Sequence, residues 1–405
     1  MEQNKKKILI TIFSMHIGGA ERSLLGLLNA FDYNKFDVTL MVYQHKGEFM
    51  KYIPKEVKLL PYIPSYDVFE VSIKKLLFSK RIIFGIARVF AKVECSLKCK
   101  MRKQPQTTWI KLQYNTKYIL PLLPSIPAKY DLAIGFIGIH DVLVKKADAA
   151  VKAGWIHTDY DEIVADKKMD MKTYSSLDYI VHVSPECQKT FLKIYPQFQE
   201  KAIVVENILS PAFIRQQAIA FDPSYEMRNR KDVVTLLSIG RFCTAKNFGN
   251  IPLICNYIIS KGYKIVWYII GYGADEHLIQ AKIKEYNMED YVVLLGKKEN
   301  PYPYIKACNI YVQPSRYEGK SVAVREAQIL RKPVIITNFA TAASQVNNGC
   351  DGVIVPLNNE KCAQGIIDLI QCSSLQQKLV DFCAKNDYGN EYEIQKVYAL
   401  CGGGS

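Results

Sequence analysis

The sequence contains no C-x2-C pair and no tight Cys/His cluster, although cysteine occurs eleven times, so a structural zinc site has no ligand set to draw on. An odd number of scattered thiols suits a reducing compartment better than a disulfide scaffold. No apolar stretch is long enough to cross a bilayer. The short run from Ile8 to Phe13 follows Lys5, Lys6 and Lys7, yet it leads into a glycine turn and is not read as a signal peptide. Repeats of solenoid period and low-complexity tracts are also missing. So is a G-x-G-x-x-G loop with an acidic residue after the second strand, which counts against a dinucleotide oxidoreductase.

What is present is an ordinary globular composition, 49% apolar and 23% charged over 405 residues, long enough that two domains are the natural expectation. The net charge of +14 is concentrated, because between Ile73 and Lys117 twelve Lys and Arg face the single Glu94. In that stretch Ile73, Leu76, Leu77, Ile83, Phe84, Ala87, Phe90 and Ala91 recur at helical spacing. Lys74, Lys75, Arg81, Arg88 and Lys92 take the other side, and Lys80 breaks the pattern. One reading is a basic amphipathic helix on an anionic membrane surface. The other is a surface helix whose apolar stripe faces the N-terminal core. Nucleic acid is not expected, since no recognition motif accompanies the charge. The expected location is cytoplasmic, peripheral on the inner face of the cell membrane.

Strand-like runs alternate with helical patterns almost throughout, which points to parallel sheets built from right-handed β-α-β units and an α/β fold. In the first half the strands are expected at 7–13, 37–43, 131–136, 154–157, 179–183 and 202–206. In the second half they are expected at 233–239, 264–270, 291–294, 310–313, 333–337 and 352–355. Between them Asn207 to Lys231, with Pro211 and Pro223, reads as the linker. Two Rossmann-like, doubly wound domains facing a cleft follow: 1–207 with a basic insertion near 65–125, and 208–385. Residues 402–405 read as an appended tail and are set aside.

Glu318 and Glu326 stand eight residues apart, between a strand closed by Pro314 and the next strand after Pro333. One lies in the loop and the other on the first turns of the helix, for which Ser321 is the expected N-cap. A loop at the carboxyl end of a parallel strand is where open α/β sheets bind ligands and helix amides meet anions. In isolation the pair also reads as a loop charge and an acid favoured near a helix N-terminus. Arg241 and Lys246 flank another such loop, with Asn247 placed to cap the next helix. Alone, they would be ordinary solvated cations. Gly18 and Gly19 open a helix near Ala20 and offer close backbone approach together with a φ that no residue with a side chain readily adopts. His157 ends a strand before Thr158, where it either faces a ligand or merely closes the strand.

Taken together, these elements resemble the retaining GT-B-fold glycosyltransferases of family 4, of bacterial surface-polysaccharide type. They are the Gly18-Gly19 loop after the first strand, Gly240-Arg241 with Lys246-Asn247 after the first strand of the second half, and E-x7-E at Glu318 and Glu326. The resemblance implies a nucleotide-diphosphate sugar as donor substrate, UDP-linked before GDP-linked, and no separate cofactor. It implies a glycan or polyprenyl-diphosphate-linked acceptor, and a last helix within 386–401 that returns to the N-terminal domain. It places Arg241 and Lys246 on the diphosphate, His157 beside the donor sugar, and Glu318 with Gly319, Lys320 and Ser321 around the transferred sugar. Glu326 would hold the ribose. Gly240, Gly271 and Gly273 would line the nucleotide, and Asn300 to Ile305 would flank the base. Lys320 and Arg331 depart from the family pattern. Arg331 stands where a glycine usually ends the helix, at a cost of about 1 kcal/mol if it is left-handed. Asp159 and Asp161 spell D-x-D, which a GT-A enzyme would use to hold a metal, but no metal is expected. The alternatives are a nucleotide-sugar epimerase of the same architecture and a non-catalytic membrane- or RNA-binding scaffold.

Overall fold

Short β-branched runs separated by helices are buried on both faces, as parallel sheets require. The computed structural model describes residues 5–138, 140–158, 160, 163–227, 232–318 and 321–402. They form two units, Met1–Ile208 with Glu391–Ser405, and Leu209–Asn390.

The first unit carries strands β1 (Lys6–Ile12), β2 (Phe36–Val42), β3 (Lys58–Leu59), β4 (Lys129–Gly135), β5 (Asp148–Ile156), β6 (Tyr179–His182) and β7 (Ala202–Val204). All pair in parallel, in the order β3-β2-β1-β4-β5-β6-β7. Its helices are α1 (Gly19–Ala30), α2 (Ile73–Leu77), α3 (Ile82–Met101), α4 (Thr108–Ile119), α5 (His140–Lys146), α6 (Lys167–Ser175) and α7 (Pro185–Ile194). The period of two along β1 sends Ile8, Ile10 and Ile12 into one core and Leu9 into the core on the opposite face.

The second unit holds β8 (Val234–Ile239), β9 (Ile265–Ile270), β10 (Val292–Gly296), β11 (Ile310–Gln313), β12 (Val334–Thr337) and β13 (Val353–Val355), in the order β10-β9-β8-β11-β12-β13. These strands are parallel too. Its helices are α8 (Pro211–Gln217), α9 (Ile251–Ser260), α10 (Glu276–Glu285), α11 (Tyr302–Ala307), α12 (Val322–Ile329), α13 (Ala342–Gln345), α14 (Asn359–Gln371) and α15 (Ser373–Lys385). On β9, Ile265, Trp267 and Ile269 face one core and Val266, Tyr268 and Ile270 the other.

The last helix, α16 (Ile394–Leu400), belongs to the first unit. Tyr398 stacks on Phe36 at 4.2 Å between centroids, and its hydroxyl accepts the Asp32 N–H at 2.7 Å.

Three expectations need correction. The stretch read as a linker is structured: α8 and Met227 are core of the second unit, because Ile214, Ala218 and Met227 supply an apolar face that the proline count obscured. The basic stretch is not one helix but α2 and α3, with Phe78 to Arg81 between them. Its expected apolar stripe divides, since Leu76, Phe84, Ala87 and Ala91 are buried while Ile83 and Phe90 are exposed. A second apolar row along α3, at Ile82, Ile86, Val89, Val93, Leu97 and Met101, faces outward.

Candidate functional site

In each sheet the chain turns from winding one way to winding the other between two neighbouring strands, β1/β4 in the first unit and β8/β11 in the second. Loops leaving the carboxyl ends of such a pair diverge and leave a crevice, where ligands of doubly wound folds bind. In the second unit those loops are Gly240 to Asn247 and Pro314 to Ser321, which carry Arg241, Lys246 and Glu318.

The two loops are tied together. Arg316 N–H donates to Ala245 C=O at 2.7 Å, and Asn247 Nδ2 donates to Pro314 C=O at 3.0 Å. Lys246 Nζ meets Glu318 Oε1 at 2.5 Å, with both side chains largely enclosed. The same oxygen accepts from Ser315 Oγ at 2.6 Å and from Gln313 Nε2 at 3.4 Å, and Gln313 Oε1 accepts from the Tyr311 hydroxyl at 2.7 Å. Oε1 is therefore saturated, while Oε2 makes no bond among the described residues and keeps its accepting capacity. Thr341 Oγ1 donates to the Glu318 backbone carbonyl at 2.6 Å and fixes the loop from a third side. The Arg241 guanidinium is exposed and makes no hydrogen bond or ion pair among the described residues.

The glycines next to these residues have a steric purpose. A Cβ at Gly240 would sit 3.1 Å from Lys246 Cε, so its absence leaves room for the lysine stem. At Gly271 a Cβ would lie 1.9 Å from the Gly240 oxygen, and at Gly273 2.3 Å from the Phe242 oxygen, with φ of +156° and +157°. The close approach lets Phe242 N–H reach Tyr272 C=O at 2.8 Å, which knits the two loops.

Glu326 lies on α12 with no exposed surface, and the Tyr302 hydroxyl donates to it at 2.9 Å. The pKa of Tyr311 is pushed well above its ordinary value, first by burial and then by the neighbouring carboxylates of Glu326 and Glu318. Both acids thus converge on one buried tyrosine. Ser321 occupies the N-cap position of α12 but does not cap it. Its hydroxyl is buried without a partner among the described residues, and its N–H goes to Gln345 Oε1 at 3.0 Å. Asn247 does not cap the next helix either, because it is left-handed at φ 60° and spends its side chain on Pro314 and Asn250. Gly319 and Lys320 lie outside the described residues, as do Asp159 and Asp161. Arg331 is left-handed at φ 57°, and the bonds Arg331 N–H to Gln328 C=O and Lys332 N–H to Ala327 C=O close a Schellman-type end.

In the first unit, Gly18 precedes α1 with φ −159°, an extended conformation open to any residue, and a Cβ on Gly19 would meet nothing. The expectation that both need glycine-only dihedrals is therefore corrected. A Cβ on Gly18 would lie 2.2 Å from Glu21 Oε2, so what Gly18 provides is room for that carboxylate at the start of α1. His157 follows β5 and contacts the Phe136 ring at 4.8 Å between centroids. Burial drives its pKa down to about 4 against an opposing bond to the Phe136 backbone, and its Nε2 finds no partner among the described residues. A neutral imidazole at neutral pH suits a hydrogen bond to a hydroxyl more than an ion pair.

Of the five basic residues assigned to a membrane, Lys74, Lys75 and Lys92 are exposed. Arg81 donates to Pro64 C=O at 3.1 Å. Arg88 is a correction: its guanidinium is half-buried, donates to the carbonyls of Val68 and Val71, and has its pKa lowered by burial. It clamps the segment before α2 rather than facing outward. Sequence reasoning missed Gln313, Ser315 and Thr341. The available signal was Gln313 itself, a polar side chain at the end of an otherwise apolar strand that must find a partner when buried.

Residues 226–385 match the family described as Glycosyl transferases group 1. The chain is 24% identical over 65% of its length to 74% of the amylovoran biosynthesis glycosyltransferase AmsD of Erwinia amylovora. It is 25% identical over 92% of its length to 92% of the N-acetylgalactosamine-N,N'-diacetylbacillosaminyl-diphospho-undecaprenol 4-alpha-N-acetylgalactosaminyltransferase of Campylobacter jejuni. The fold is shared with Anabaena HepE in complex with UDP and glucose, at TM-score 0.66 and 13% identity, covering 98% of this chain and 100% of that one. The TarM structure from S. aureus in complex with fondaparinux, alpha-GlcNAc-glycerol and UDP gives TM-score 0.65 at 15% identity, with 98% and 99% covered. With loops, sheets and relatives in agreement, residues 226–385 form a Glycosyl transferases group 1 domain, and the chain is a glycosyltransferase of GT-B architecture.

Proposed function

We propose that the enzyme moves a sugar, with retention of configuration and without a metal, from a UDP-sugar to a glycan on a prenyl-diphosphate lipid. The observation that carries the donor half is the tied pair of switch-point loops in the second unit, with Lys246 on Glu318 and Arg241 unpaired among the described residues. As the glycosidic bond breaks, negative charge builds on the leaving diphosphate, and preorganised cations supply the stabilisation a metal would otherwise give. Lys246 has three N–H donors, so it can hold Glu318 and a phosphate oxygen together. Glu318 is a poor nucleophile with one oxygen triply engaged, and its free Oε2 is fitted to accept a sugar hydroxyl instead. That division favours reaction on one face of the sugar with the carboxylate as a binding group.

The acceptor half rests on relatives. One acts on a diphospho-undecaprenol-linked sugar, as does the UDP-Gal:alpha-D-GlcNAc-diphosphoundecaprenol alpha-1,3-galactosyltransferase of Escherichia coli, 28% identical over 30% of this chain. No described helix is long and apolar enough to cross a membrane. The outward apolar row of α3 beside Lys92 fits peripheral attachment to an anionic inner leaflet. The test is a transfer assay with UDP- and GDP-sugars and a prenyl-diphosphate-linked saccharide, with the product anomer read by NMR. A glycoside of donor configuration is expected. Donor converted to its epimer without acceptor would favour the epimerase, and an inverted product would remove the retaining mechanism.

A further inference from the structure

Between α3, α4, α5 and α6 of the first unit lies a groove of about 710 Å³ that the donor chemistry does not use. Seven cations and three acids line it, and the acids are already engaged. Glu94 meets Lys117 at 2.6 Å, Asp166 meets Arg102 at 2.5 Å, and Asp141 accepts from Thr173 Oγ1 at 2.7 Å. The ammonium groups of Lys98, Lys145, Lys168 and Lys172 donate no hydrogen bond and close no ion pair among the described residues, although Lys98 lies in the field of Glu94 and Lys145 and Lys172 in that of Asp141. With seven cations against three acids, the concavity carries an excess of positive charge that focuses a positive potential into it, which an anion would relieve.

The groove also has an apolar border. The exposed Phe90, next to the outward row, stacks on Tyr118 at 6.3 Å, and the groove-lining Lys117 lies over that same ring at 5.2 Å. Leu97 and Met101 continue the row next to Lys98 and Arg102, both largely exposed. A contiguous exposed apolar row of this length marks an interaction surface more than chance exposure does.

We propose that this groove is a binding site for the diphosphate of a prenyl-diphosphate lipid, whose hydrocarbon chain runs along Phe90, Val93 and Leu97. The inference deepens the acceptor half of the proposed function and rests on it. A single monoanionic headgroup would leave most of the four ammonium groups uncompensated, whereas a diphosphate offers several charged oxygens to be shared among them.

The test is a calorimetric titration of the whole chain with farnesyl diphosphate, inorganic pyrophosphate and farnesol, with UDP in excess to fill the donor site. Farnesyl diphosphate should bind more tightly than either part alone. Replacing Lys98→Ala, Lys168→Ala and Lys172→Ala together should weaken farnesyl diphosphate and pyrophosphate on the order of a hundredfold, and leave the melting shift caused by UDP unchanged. Leu97→Asn should weaken farnesyl diphosphate and spare pyrophosphate. Unaltered farnesyl diphosphate affinity in the triple variant overturns the proposal. So does a variant that loses only phosphatidylglycerol vesicles, since that describes a general anionic-surface patch. If UDP itself produces no melting shift, the donor reading fails separately, and the same titration on an Arg241→Ala background still reads the groove.

Discussion

The two units place ionisable groups in opposite ways. The second brings charges of opposite sign onto two adjacent loops and pairs them, Lys246 with Glu318, inside a mesh of hydrogen bonds from Gln313, Ser315 and Thr341. The first encloses His140, His157 and His182 with ring nitrogens that find no partner among the described residues, and burial drives each pKa down to about 4. Paired charges hold a fixed electrostatic field for a charged ligand, while unpaired imidazoles stay neutral and act by shape and hydrogen bonding. The contrast separates a fixed, paired set of charges on the switch-point loops of the second unit from enclosed, neutral imidazoles in the first.

The largest effect should come from removing the cations of the second unit's switch-point loops. Arg241→Ala or Lys246→Ala is expected to lower kcat by ~10²-fold or more, as loss of an oxyanion-type donor does, and steady-state kinetics would show it. Equal rates would move leaving-group stabilisation elsewhere. Acid should next separate the units. An imidazole held near pKa 4 in the fold and near 6.5 when unfolded binds more protons unfolded, so its contribution is intact above about pH 6.5 and is lost as pH falls towards 4. Asp170, whose carboxyl burial raises to about 6, and Asp141, also raised by burial, run the other way, but three imidazoles outweigh two carboxyls. Melting curves taken from pH 7 to 4.5 should lose the first unit before the second; simultaneous loss would contradict the contrast.

A smaller effect is expected at the surface. Lys74→Glu, Lys75→Glu and Lys92→Glu together should release the protein from anionic vesicles in a flotation assay, with donor binding intact. Arg88→Ala should act instead on stability, because it removes the clamp on Val68 and Val71. The smallest change is Arg331→Gly, which relieves a left-handed arginine and should raise stability by about 1 kcal/mol in urea titrations.

Much of the second unit was legible because its chemistry is local in sequence. Strand, turn and charged residue follow one another within ten positions at Ile239 to Asn247, where the turn opens on Gly240, and again at Gln313 to Glu318, where it opens on Pro314, and spacing alone carries that order. The mesh that fixes Glu318 was not legible, because Thr341 and Gln345 reach it across more than twenty residues. In the first unit, helical periodicity found the apolar face of α3 but could not say that the helix has two such faces. Which one is buried depends on α4, through Ile110 and Tyr114 packing on Ala91, Cys95 and Cys99. The cap assignment at Asn247 failed for a related reason, since Pro314 and Asn250 claim its side chain, while the Ser321 hydroxyl caps nothing and finds no partner among the described residues.

The central claim is that the two tied loops of the second unit grip a nucleotide-diphosphate sugar through Arg241, Lys246 and Glu318. Its most direct test is the melting temperature of wild type and of Arg241→Ala/Lys246→Ala with and without UDP-sugar, because a ligand at a hundred times its Kd stabilises by about 2.7 kcal/mol. The account predicts a clear upward shift for wild type and almost none for the double variant. An equal shift in both proteins, or none in the wild type with any UDP-, GDP- or ADP-sugar, would contradict it.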